Sequence, residues 1–423
     1  METSKPKGKS FDIPKGLIWD AYQVVRKNDG APGVDGVTIE EFEKDLKNNL
    51  YLVWNRLSSG TYFPPAVKAV WIPKPHGNGQ RMLGIPTIAD RVAQTAVATA
   101  LGLRVEKVFH PDSYGYRRGR SQLDAVAVCR KRCWEKDWVL ELDIQNFFGS
   151  CGHELIMKAV QARCDDDRRW IVLYVRRWLT APIQYPDGTQ RVPEAGTPQG
   201  SAISPVLANL FMTYAFDNWM DREFPTARFE RYCDDIVVHC STERQARAVW
   251  AAVGERMVEV GLRLHPDKTR LVYCKDTKRR GTFEVVSFTF LGFTWQPRSA
   301  KNKRTGHIFT SFAPAMSKDA LRAKGVQIRS WRIHRRTAPD LVDLANEINP
   351  KVRGWMNYYG THAPWEMHPL LMRINAYLVR WARKKYKRLT SFTRAFRWWQ
   401  RVTERDPKLF AHWAWTTAFL QVG

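Results

Sequence analysis

Residues 229–240 read Phe-Glu-Arg-Tyr-Cys-Asp-Asp-Ile-Val-Val-His-Cys, with two adjacent carboxylates between two runs of strand-forming residues. The pattern predicts a tight β-hairpin with Asp234 and Asp235 at its tip, where aspartate tolerates unusual turn angles. Adjacent carboxylates repel each other, so a folded site needs a cation there, and oxygen ligands favour Mg²⁺. An ordinary acidic surface turn is the alternative. The apolar residues 236–238 argue against it, because acids beside a buried strand are costly without a role.

A second acid closes another apolar strand. Residues 138–148 read Trp-Val-Leu-Glu-Leu-Asp-Ile-Gln-Asn-Phe-Phe, and Asp143 stands at the strand's end. If this strand neighbours the hairpin, Asp143 and Asp234 face each other across about 5 Å. That arrangement would hold two Mg²⁺ ions roughly 3.5–4 Å apart. The alternative is that Asp143 caps the following helix.

The composition points to a polyanionic partner. The chain has 423 residues, which suits two or three domains, and a formal charge of +25. From Arg298 onward, 25 Lys/Arg stand against 7 Asp/Glu, and half of the 18 tryptophans lie at or after Trp295. Basic residues interleaved with aromatic ones suit nucleic acid. A solvated basic surface over a Trp-rich helical core is the alternative.

Several classes of protein are disfavoured. The seven cysteines are scattered without paired Cys-x-x-Cys knuckles, which disfavours a structural zinc site and suits a reducing cytosol. The N-terminus has no apolar segment typical of a signal peptide, and no run of about 18 apolar residues could span a membrane. We therefore expect a cytoplasmic protein without a membrane partner.

Two basic segments are candidates for binding phosphates. A hairpin is predicted around residues 76–79, with Lys74 and Arg81 on its two arms, where they could close over a triphosphate. Lys268 follows a predicted strand, 262–269, and could hold or protonate a leaving pyrophosphate. An exposed basic hairpin and a surface lysine are the respective alternatives.

The remaining pattern is largely helical. A Gly/Pro-rich turn, 196–205, precedes a helix and offers Gln199 and backbone NH groups to a nucleotide. A further strand is predicted over 287–295. Helices are predicted over 17–28, 38–57 with a capping box at Thr38, 90–108, 156–163, 169–178, 206–220, 243–260, 318–335, 340–359 and 369–389, before a basic aromatic tail, 391–423.

These stretches, in this order, resemble the reverse transcriptases encoded by bacterial group II introns, the intron maturases. The resemblance runs from residue 28 to Tyr359 and is carried by the ordered set rather than by any one motif. The matching stretches are 28–36 (NDGAPGVDG), 71–74 (WIPK), 81–87 (RMLGIPT), 90–94 (DRVAQ), 113–121 (SYGYRRGRS), 143–148 (DIxxFF), 197–205 (TPQGSxISP), 231–238 (RYCDDIVV), 267–269 (DKT) and 290–293 (FLGF).

The resemblance implies an α+β right-hand polymerase. Fingers and palm, an antiparallel sheet with helices, would be followed by an α-helical thumb, the maturase or X domain. The expected limits are 1–62 for an N-terminal extension and the first fingers helices, 63–300 for fingers and palm, 301–390 for the thumb, and 391–423 for the tail. Because the sequence stops at Gly423 without Cys-pair zinc sites, we expect no endonuclease domain.

The resemblance also assigns roles. Asp143, Asp234 and Asp235 look like the catalytic acids. Asp143 and Asp234 would bind two Mg²⁺ directly with the carbonyl of Ile144, while Asp235 would shape the field or contact the primer end. The nucleotide contacts would be Lys74 and Arg81 for the triphosphate, Phe148 as the gate against a ribose 2′-OH, Gln199 and Gly200 in the pocket, and Lys268 near the leaving group.

The implied activity is RNA-directed DNA synthesis. Expected partners are the group II intron RNA, an RNA template with a DNA primer, target DNA and dNTPs, for splicing and retrohoming; the oligomeric state is left open. A basic cluster would be part of the RNA footprint: Arg383, Lys384, Lys385, Lys387 and Arg388. Two alternatives are an RNA-binding splicing cofactor with a vestigial polymerase and a reverse transcriptase domesticated for host defence.

Two positions depart from the family pattern. Cys233 replaces the small residue, most often Ala, that precedes the twin acids, and a thiol is only slightly larger. Gly149 stands where many relatives have Asp after the twin Phe, a position that is not one of the metal acids. Neither change puts the activity in doubt.

Overall fold

A computed structural model describes residues 9–73, 79–302 and 304–419. The chain packs into two compact units, one formed by 1–129 with 138–271 and the other by 130–137 with 272–423. None of the helices in the described ranges combines the length and the apolar character needed to cross a membrane.

The first unit mixes helices with two small sheets. Its helices are α1 (Lys15–Asn28), α2 (Ile39–Glu43), α3 (Leu46–Ser59), α4 (Ile88–Val105), α5 (Gln122–Glu135, which ends in the second unit), α6 (Phe147–Ser150), α7 (His153–Gln161), α8 (Arg169–Leu179), α9 (Ser204–Met212), α10 (Asn218–Glu223) and α11 (Glu243–Glu259). A π-helical turn, Thr213–Asp217, joins α9 to α10.

The strands of this unit form two sheets. They are β1 (Val67–Pro73), β2 (Gln80–Ile85), β3 (Trp138–Leu142), β4 (Ile183–Gln184), β5 (Gln190–Arg191), β6 (Arg228–Tyr232), β7 (Asp235–Cys240) and β8 (Arg270–Tyr273), whose first two residues belong to this unit. One sheet has the order β2-β1-β4-β5 and the other β6-β7-β3-β8. The strands predicted on either side of residues 76–79 are confirmed as the antiparallel pair β1–β2, although residues 74–78 lie outside the described part of the chain. The hairpin predicted with Asp234 and Asp235 at its tip is confirmed as the antiparallel pair β6–β7, but Tyr232 pairs with Asp235 and the turn lies one residue earlier.

The helix starting near Thr38 is capped as predicted but is shorter than predicted. The Thr38 hydroxyl accepts from the Glu41 amide, and the Glu41 carboxylate accepts from the Thr38 amide at 2.9 Å. The predicted single helix over 38–57 is wrong, because Asp45 leaves the helical region (φ −131°, ψ 48°) and α3 restarts at Leu46.

Two strand predictions also need correction. Residues 262–269 form a turn rather than a strand, and only Leu264 pairs, through an isolated bridge to Ile144. The stretch 287–295 contains two strands, because Leu291 and Gly292 have φ values of 51° and 77° and reverse the chain. Apolar alternation predicts extended backbone in both places. In 287–295 it does not register the two left-handed residues, and in 262–269 it does not register the turn at residues 266–268.

The second unit is a three-stranded sheet followed by helices. Its elements are β9 (Phe288–Phe290), β10 (Phe293–Lys301), β11 (Ile308–Met316), α12 (Lys318–Ser330), α13 (Leu341–Tyr359), α14 (His368–Lys385) and α15 (Phe392–Arg405). The sheet order is β11-β10-β9. α14 lies in the centre of a large apolar core, with Leu371, Ile374 and Trp381 fully buried. The α+β class with a helical C-terminal part is thus confirmed, while the predicted domain limits stay predictions.

A buried asparagine fastens the segment after α15 to this core. The Asn375 amide nitrogen donates to the carbonyls of Thr416 and Ala418, at 3.2 and 2.7 Å. Its oxygen faces the His412 ring nitrogen at 2.7 Å and the Trp413 indole nitrogen at 3.1 Å. The described part of the basic aromatic tail, through Phe419, is therefore a packed part of the second unit.

The buried His412 makes the stability of this unit depend on pH. Burial lowers its pKa to about 3, so between that value and about 6.5 the unfolded chain binds a proton that the folded chain does not. We expect the unfolding free energy of the unit to fall by about 2 kcal/mol from pH 7 to pH 5. His412→Gln should remove this loss, as measured by hydrogen exchange of the α14 amides. The exposed His307→Gln is the control, and an unchanged pH dependence in His412→Gln would contradict the assignment.

Candidate active site

The hairpin tip presents its two acids in different ways. Tyr232 pairs with Asp235, so Cys233 and Asp234 form the two-residue turn and Asp235 begins β7. The left-handed angle belongs to Cys233 (φ 63°), not to an aspartate as predicted. Asp234 therefore projects from the turn itself, while Asp235 belongs to the strand.

Asp143 arrives at the same end of the sheet. β3 pairs with β7 up to Leu142 opposite Ile236, so the next step of this register sets Asp143 beside Asp235 and leaves Asp234 in the turn. The predicted direct cross-strand pair of Asp143 with Asp234 is wrong, because a turn residue has no ladder partner. Asp143 is not a helix cap either, since Asn146 occupies the cap position of α6.

A cavity of about 790 Å³ lies in front of these acids. The predicted site residues that line it are Arg81, Asp143, Ile144, Phe148, Gln199, Asp234 and Lys268. Asp235 and Gly200 are not among its lining residues, and Lys74 lies outside the described part of the chain. The structure thus brings together seven predicted residues from segments that are far apart in sequence.

The acids carry more negative charge than their surroundings offset. The Lys268 ammonium lies 3.2 Å from an Asp143 oxygen. Burial raises the pKa of Asp234, and the Asp143 charge adds to the rise. The pKa of Asp235 is raised to about 7 by burial and then by the charges of Asp234, Asp143 and Glu141, even though part of its side chain still meets solvent.

This donor set fits a divalent cation. Burial, and after it the neighbouring negative charges, raises the pKa values of Asp234 and Asp235, and a hard cation would stabilise their charged forms. Carboxylate oxygens are the ligands that Mg²⁺ prefers. Within the described ranges, Asp143, Asp234 and Asp235 do not bring one oxygen each within 4.8 Å of one another. The cavity-lining pair Asp143 and Asp234, with the nearby Ile144 carbonyl, is therefore the better candidate ligand set.

Two loops line the cavity because glycines let their backbones approach closely. The Gly84 amide donates to the Gln199 carbonyl at 2.7 Å, and the Thr197 amide donates to the Phe148 carbonyl at 2.7 Å. Gly200 has φ 107°, and a Cβ there would lie 2.6 Å from the Gly84 oxygen. A Cβ at Gly149 would lie 2.5 Å from the side-chain nitrogen of Asn146, so a larger residue at position 149 would require that side chain to shift.

A buried polar network holds the Gln199 loop, and the sequence-based predictions did not include it. Asp90 is fully buried and accepts from the Tyr62 hydroxyl at 2.7 Å, the Trp178 indole at 2.8 Å and the Gln94 amide at 3.0 Å. Gln94 in turn accepts from the Ser201 hydroxyl at 2.6 Å. A polar Asp and Gln four residues apart on one helix face was the only local signal.

Two cavity-lining side chains were also not predicted from the sequence. Trp71 on β1 is 49% exposed and lines the cavity, so its indole offers a flat face to a ligand. His265 lines it too, and its amide donates to the Asp143 carbonyl at 2.7 Å. The exposed tryptophan in an alternating strand was a usable signal, whereas the histidine stood in a segment predicted as a strand.

The predicted basic cluster of the second unit is partly engaged by the protein itself. The Arg383 guanidinium donates to the Thr390 carbonyl at 2.8 Å, and the Lys385 ammonium donates to the Pro339 carbonyl at 2.6 Å. Lys384, Lys387 and Arg388 extend the cluster along the chain. Lys385 therefore has a structural contact, and these three are better placed to meet a partner.

An arginine stripe on α15 extends the basic surface. Its members are Arg394, Arg397, Arg401 and Arg405, and with Arg388 they line a groove of about 950 Å³. The spacing of three or four residues sets them on one face of the helix, turned away from the buried Ala395 and Trp399, while the buried Val402 borders the groove. The sequence shows this periodicity, although only the preceding cluster was predicted to bind RNA.

Substitution of Gly200 tests whether its loop depends on the close approach to Gly84. Gly200→Ala should destabilise the first unit by about 1–3 kcal/mol, because alanine disfavours a φ of 107° and its Cβ would clash with the Gly84 carbonyl oxygen. Gly102→Ala is the matched control, since its Cβ meets nothing within 4 Å and it lies within α4. That change should stabilise by about 0.5–1 kcal/mol. Equal denaturation midpoints for the two variants would contradict the expectation.

Comparison with known proteins gives the family. The reverse transcriptase (RNA-dependent DNA polymerase) family matches residues 72–295, slightly more than half of the chain, and the maturase-specific domain of group II introns matches residues 323–400. The first match contains the acids of the cavity, and the second contains α13, α14 and part of α15.

Individual relatives agree with this. The chain is 30% identical over 298 residues to protein YkfC of Escherichia coli, a match covering 61% of this chain and 77% of that protein. It is 27% identical over 263 residues to the group II intron-encoded protein LtrA of Lactococcus lactis subsp. cremoris, covering 60% of this chain and 42% of that one. The chain belongs to the reverse transcriptase family and, within it, to the group II intron reverse transcriptases with a maturase domain.

Proposed function

We propose that this protein is an RNA-directed DNA polymerase that binds its group II intron RNA, assists its splicing and reverse-transcribes it during retrohoming. It would act in the bacterial cytosol, with nucleoid DNA as the target. The observation that carries the proposal is that Asp143 and Asp234 line one cavity together with Arg81, Phe148 and Lys268. Two acids and two cations around one space suit the transfer of a nucleotide from a triphosphate.

The reaction would be in-line attack of a primer 3′-oxygen on the α-phosphorus of a dNTP, with pyrophosphate leaving. Asp143 and Asp234, with the Ile144 carbonyl, would hold two Mg²⁺ ions. When bound, these ions would activate the attacking oxygen and neutralise the leaving group. Asp235 lies outside the cavity lining, so its charge would act on the site from beside it.

The other lining residues would bind the nucleotide. Arg81 offers a fork of N–H donors to the triphosphate, a role that Lys74 would share, and Lys268 offers a point charge near the leaving group. Phe148 is held by the Thr197 amide on its carbonyl, so its ring could exclude a 2′-hydroxyl. Gln199 lines the pocket wall, and Gly200 lets that wall approach Gly84.

The second unit would contact the intron RNA through its exposed basic residues. The cluster 383–388 and the arginine stripe of α15 provide two neighbouring sets of cations on consecutive helices. Their charges would be neutralised by phosphates, with release of counterions. A vestigial polymerase is less well supported, because the cavity retains both of its lining acids and also the basic residues Arg81 and Lys268.

The polymerase assignment depends on Asp234. Asp234→Ala should abolish primer extension on an RNA template with Mg²⁺, because the cavity loses one of its two lining acids. Binding of intron RNA should be unchanged within about twofold, since no phosphate contact is removed. Asp187→Ala, in the exposed turn between β4 and β5, is the control and should extend primers normally. Extension retained by Asp234→Ala would exclude this active site.

The RNA surface can be tested as two separable parts. Two triple variants to Gln separate the parts: one replaces Lys384, Lys387 and Arg388, and the other replaces Arg394, Arg397 and Arg401. Each variant should bind RNA more weakly and with a flatter salt dependence. The slope should fall by roughly 0.7–0.9 for each phosphate that the variant no longer neutralises.

Gln substitution of Arg169, Arg222 and Arg247 is the charge-matched control for these variants. Each of these arginines already pairs with a carboxylate close to it in sequence, at 2.6–2.8 Å. An unchanged slope in either test variant would remove that part from the RNA footprint.

A further inference from the structure

Arg231 is buried directly beneath the hairpin turn that carries Asp234. Its side chain and that of Asp217 are 0% exposed. The guanidinium donates from Nε and Nη2 to the two oxygens of Asp217, at 2.7 and 2.6 Å. The fork therefore makes a bidentate pair in a dry environment, the geometry for which arginine is better suited than lysine.

The other three N–H groups of Arg231 also have acceptors. Nη1 donates to the Asn209 side chain at 3.0 Å and to the Cys233 carbonyl at 3.2 Å, and Nη2 donates to the Ser113 hydroxyl at 2.9 Å. All five guanidinium donors are thus used. One of them reaches the peptide that leads into Asp234.

The π-helical turn Thr213–Asp217 explains how two helix residues meet one guanidinium. Asn209 and Asp217 are eight residues apart, which in a regular α-helix of 3.6 residues per turn would separate them by about 80° around the axis. A π turn absorbs one extra residue, so the pair behaves as if seven apart and lies within about 20° of one face. The irregular turn therefore supplies both acceptors to Arg231.

The peptide that Arg231 holds is a strained one. Cys233 has φ 63°, in the left-handed region that is unfavourable for a residue with a side chain. The segment before Gly115 supports the turn from the other side, because the Tyr114 amide donates to the Arg231 carbonyl at 2.8 Å. A Cβ at Gly115 would lie 2.6 Å from the Cys233 nitrogen. The turn is thus held by the guanidinium and by a closely packed backbone.

We infer that Arg231 is a positioning residue that fixes the Cys233–Asp234 peptide, and with it the Asp234 carboxylate, through a guanidinium anchored on the π turn. The inference rests on the proposed function, since it concerns the acid assigned to the reaction. A buried ion pair alone adds little to stability compared with apolar packing, so five satisfied donors beneath a strained turn indicate a role in geometry.

Arg231→Lys is the main test, because it keeps the charge and loses the fork. We expect kcat of single-nucleotide primer extension to fall about 10–100-fold, since misplacement by 1 Å can cost roughly 10²-fold. KM for dNTP should stay within about twofold. Mn²⁺ binding to the free protein, followed by electron paramagnetic resonance, should weaken about tenfold.

Arg279→Lys is the matched control. Arg279 is also a nearly buried arginine, paired with Asp276 and donating to the Cys133 carbonyl at 2.8 Å, but it belongs to the second unit. Both variants should lower the thermal midpoint, and only Arg231→Lys should change kcat and Mn²⁺ affinity. If Arg231→Lys loses stability but keeps both, Arg231 is merely a buried pair and the inference is overturned.

A milder variant decides the case in which Arg231→Lys does not fold. Ser113→Ala removes one acceptor of Arg231 and should lower kcat about two- to fivefold at constant KM, whereas unchanged kcat would overturn the inference.

The proposed active site and the positioning role of Arg231 can fail separately. Extension by Asp234→Ala would refute the active site, whereas full kcat of the Arg231 and Ser113 variants with an inactive Asp234→Ala would refute only the positioning role.

Discussion

Three carboxylates that repel one another meet at one end of a sheet in the first unit, and the active site depends on holding them there. Asp143 ends β3, Asp235 begins β7, and Asp234 lies in the turn between β6 and β7. Folding brings these charges together with Lys268 within ion-pairing distance of Asp143. Burial raises the pKa values of Asp234 and Asp235, and the neighbouring carboxylates add to the rise, so rigid surroundings are needed to hold the charged groups in place.

Those surroundings are built mostly from residues that do not line the cavity, with Gly196 as an exception. The Arg231 guanidinium supports the hairpin turn, and the Asp90–Gln94–Ser201 network supports the Gln199 loop. Glycines at 84, 196 and 200 let backbone lie directly on backbone, so that loop positions are fixed by main-chain hydrogen bonds. A site of this kind is made precise by its supports, and a loosened support would misplace ligands that are themselves intact.

The central features could be predicted because their signals are local. Alternating apolar residues around Asp234 and before Asp143 predict a hairpin and a strand, and both are present. The left-handed residue was misassigned to an aspartate, because the choice of Cys233 depends on Arg231 and Gly115, which contact it from within the fold. The role of Asp90 likewise depends on partners that only the fold brings together, whereas Trp71 had a usable signal in its alternating strand. The roles of the cavity residues remain predictions, since proximity alone does not assign chemistry.

The path of the chain between the two units has a consequence for how the protein can be divided. The first unit is interrupted by residues 130–137, which pack with the second, so the backbone passes from one unit to the other three times. No single cut yields two intact halves. Excision after Leu271 would leave the end of α5 without its native partners, because the Arg279 guanidinium donates to the Cys133 and Lys136 carbonyls. Separating the two units at one point of the chain would therefore break native contacts within the second unit.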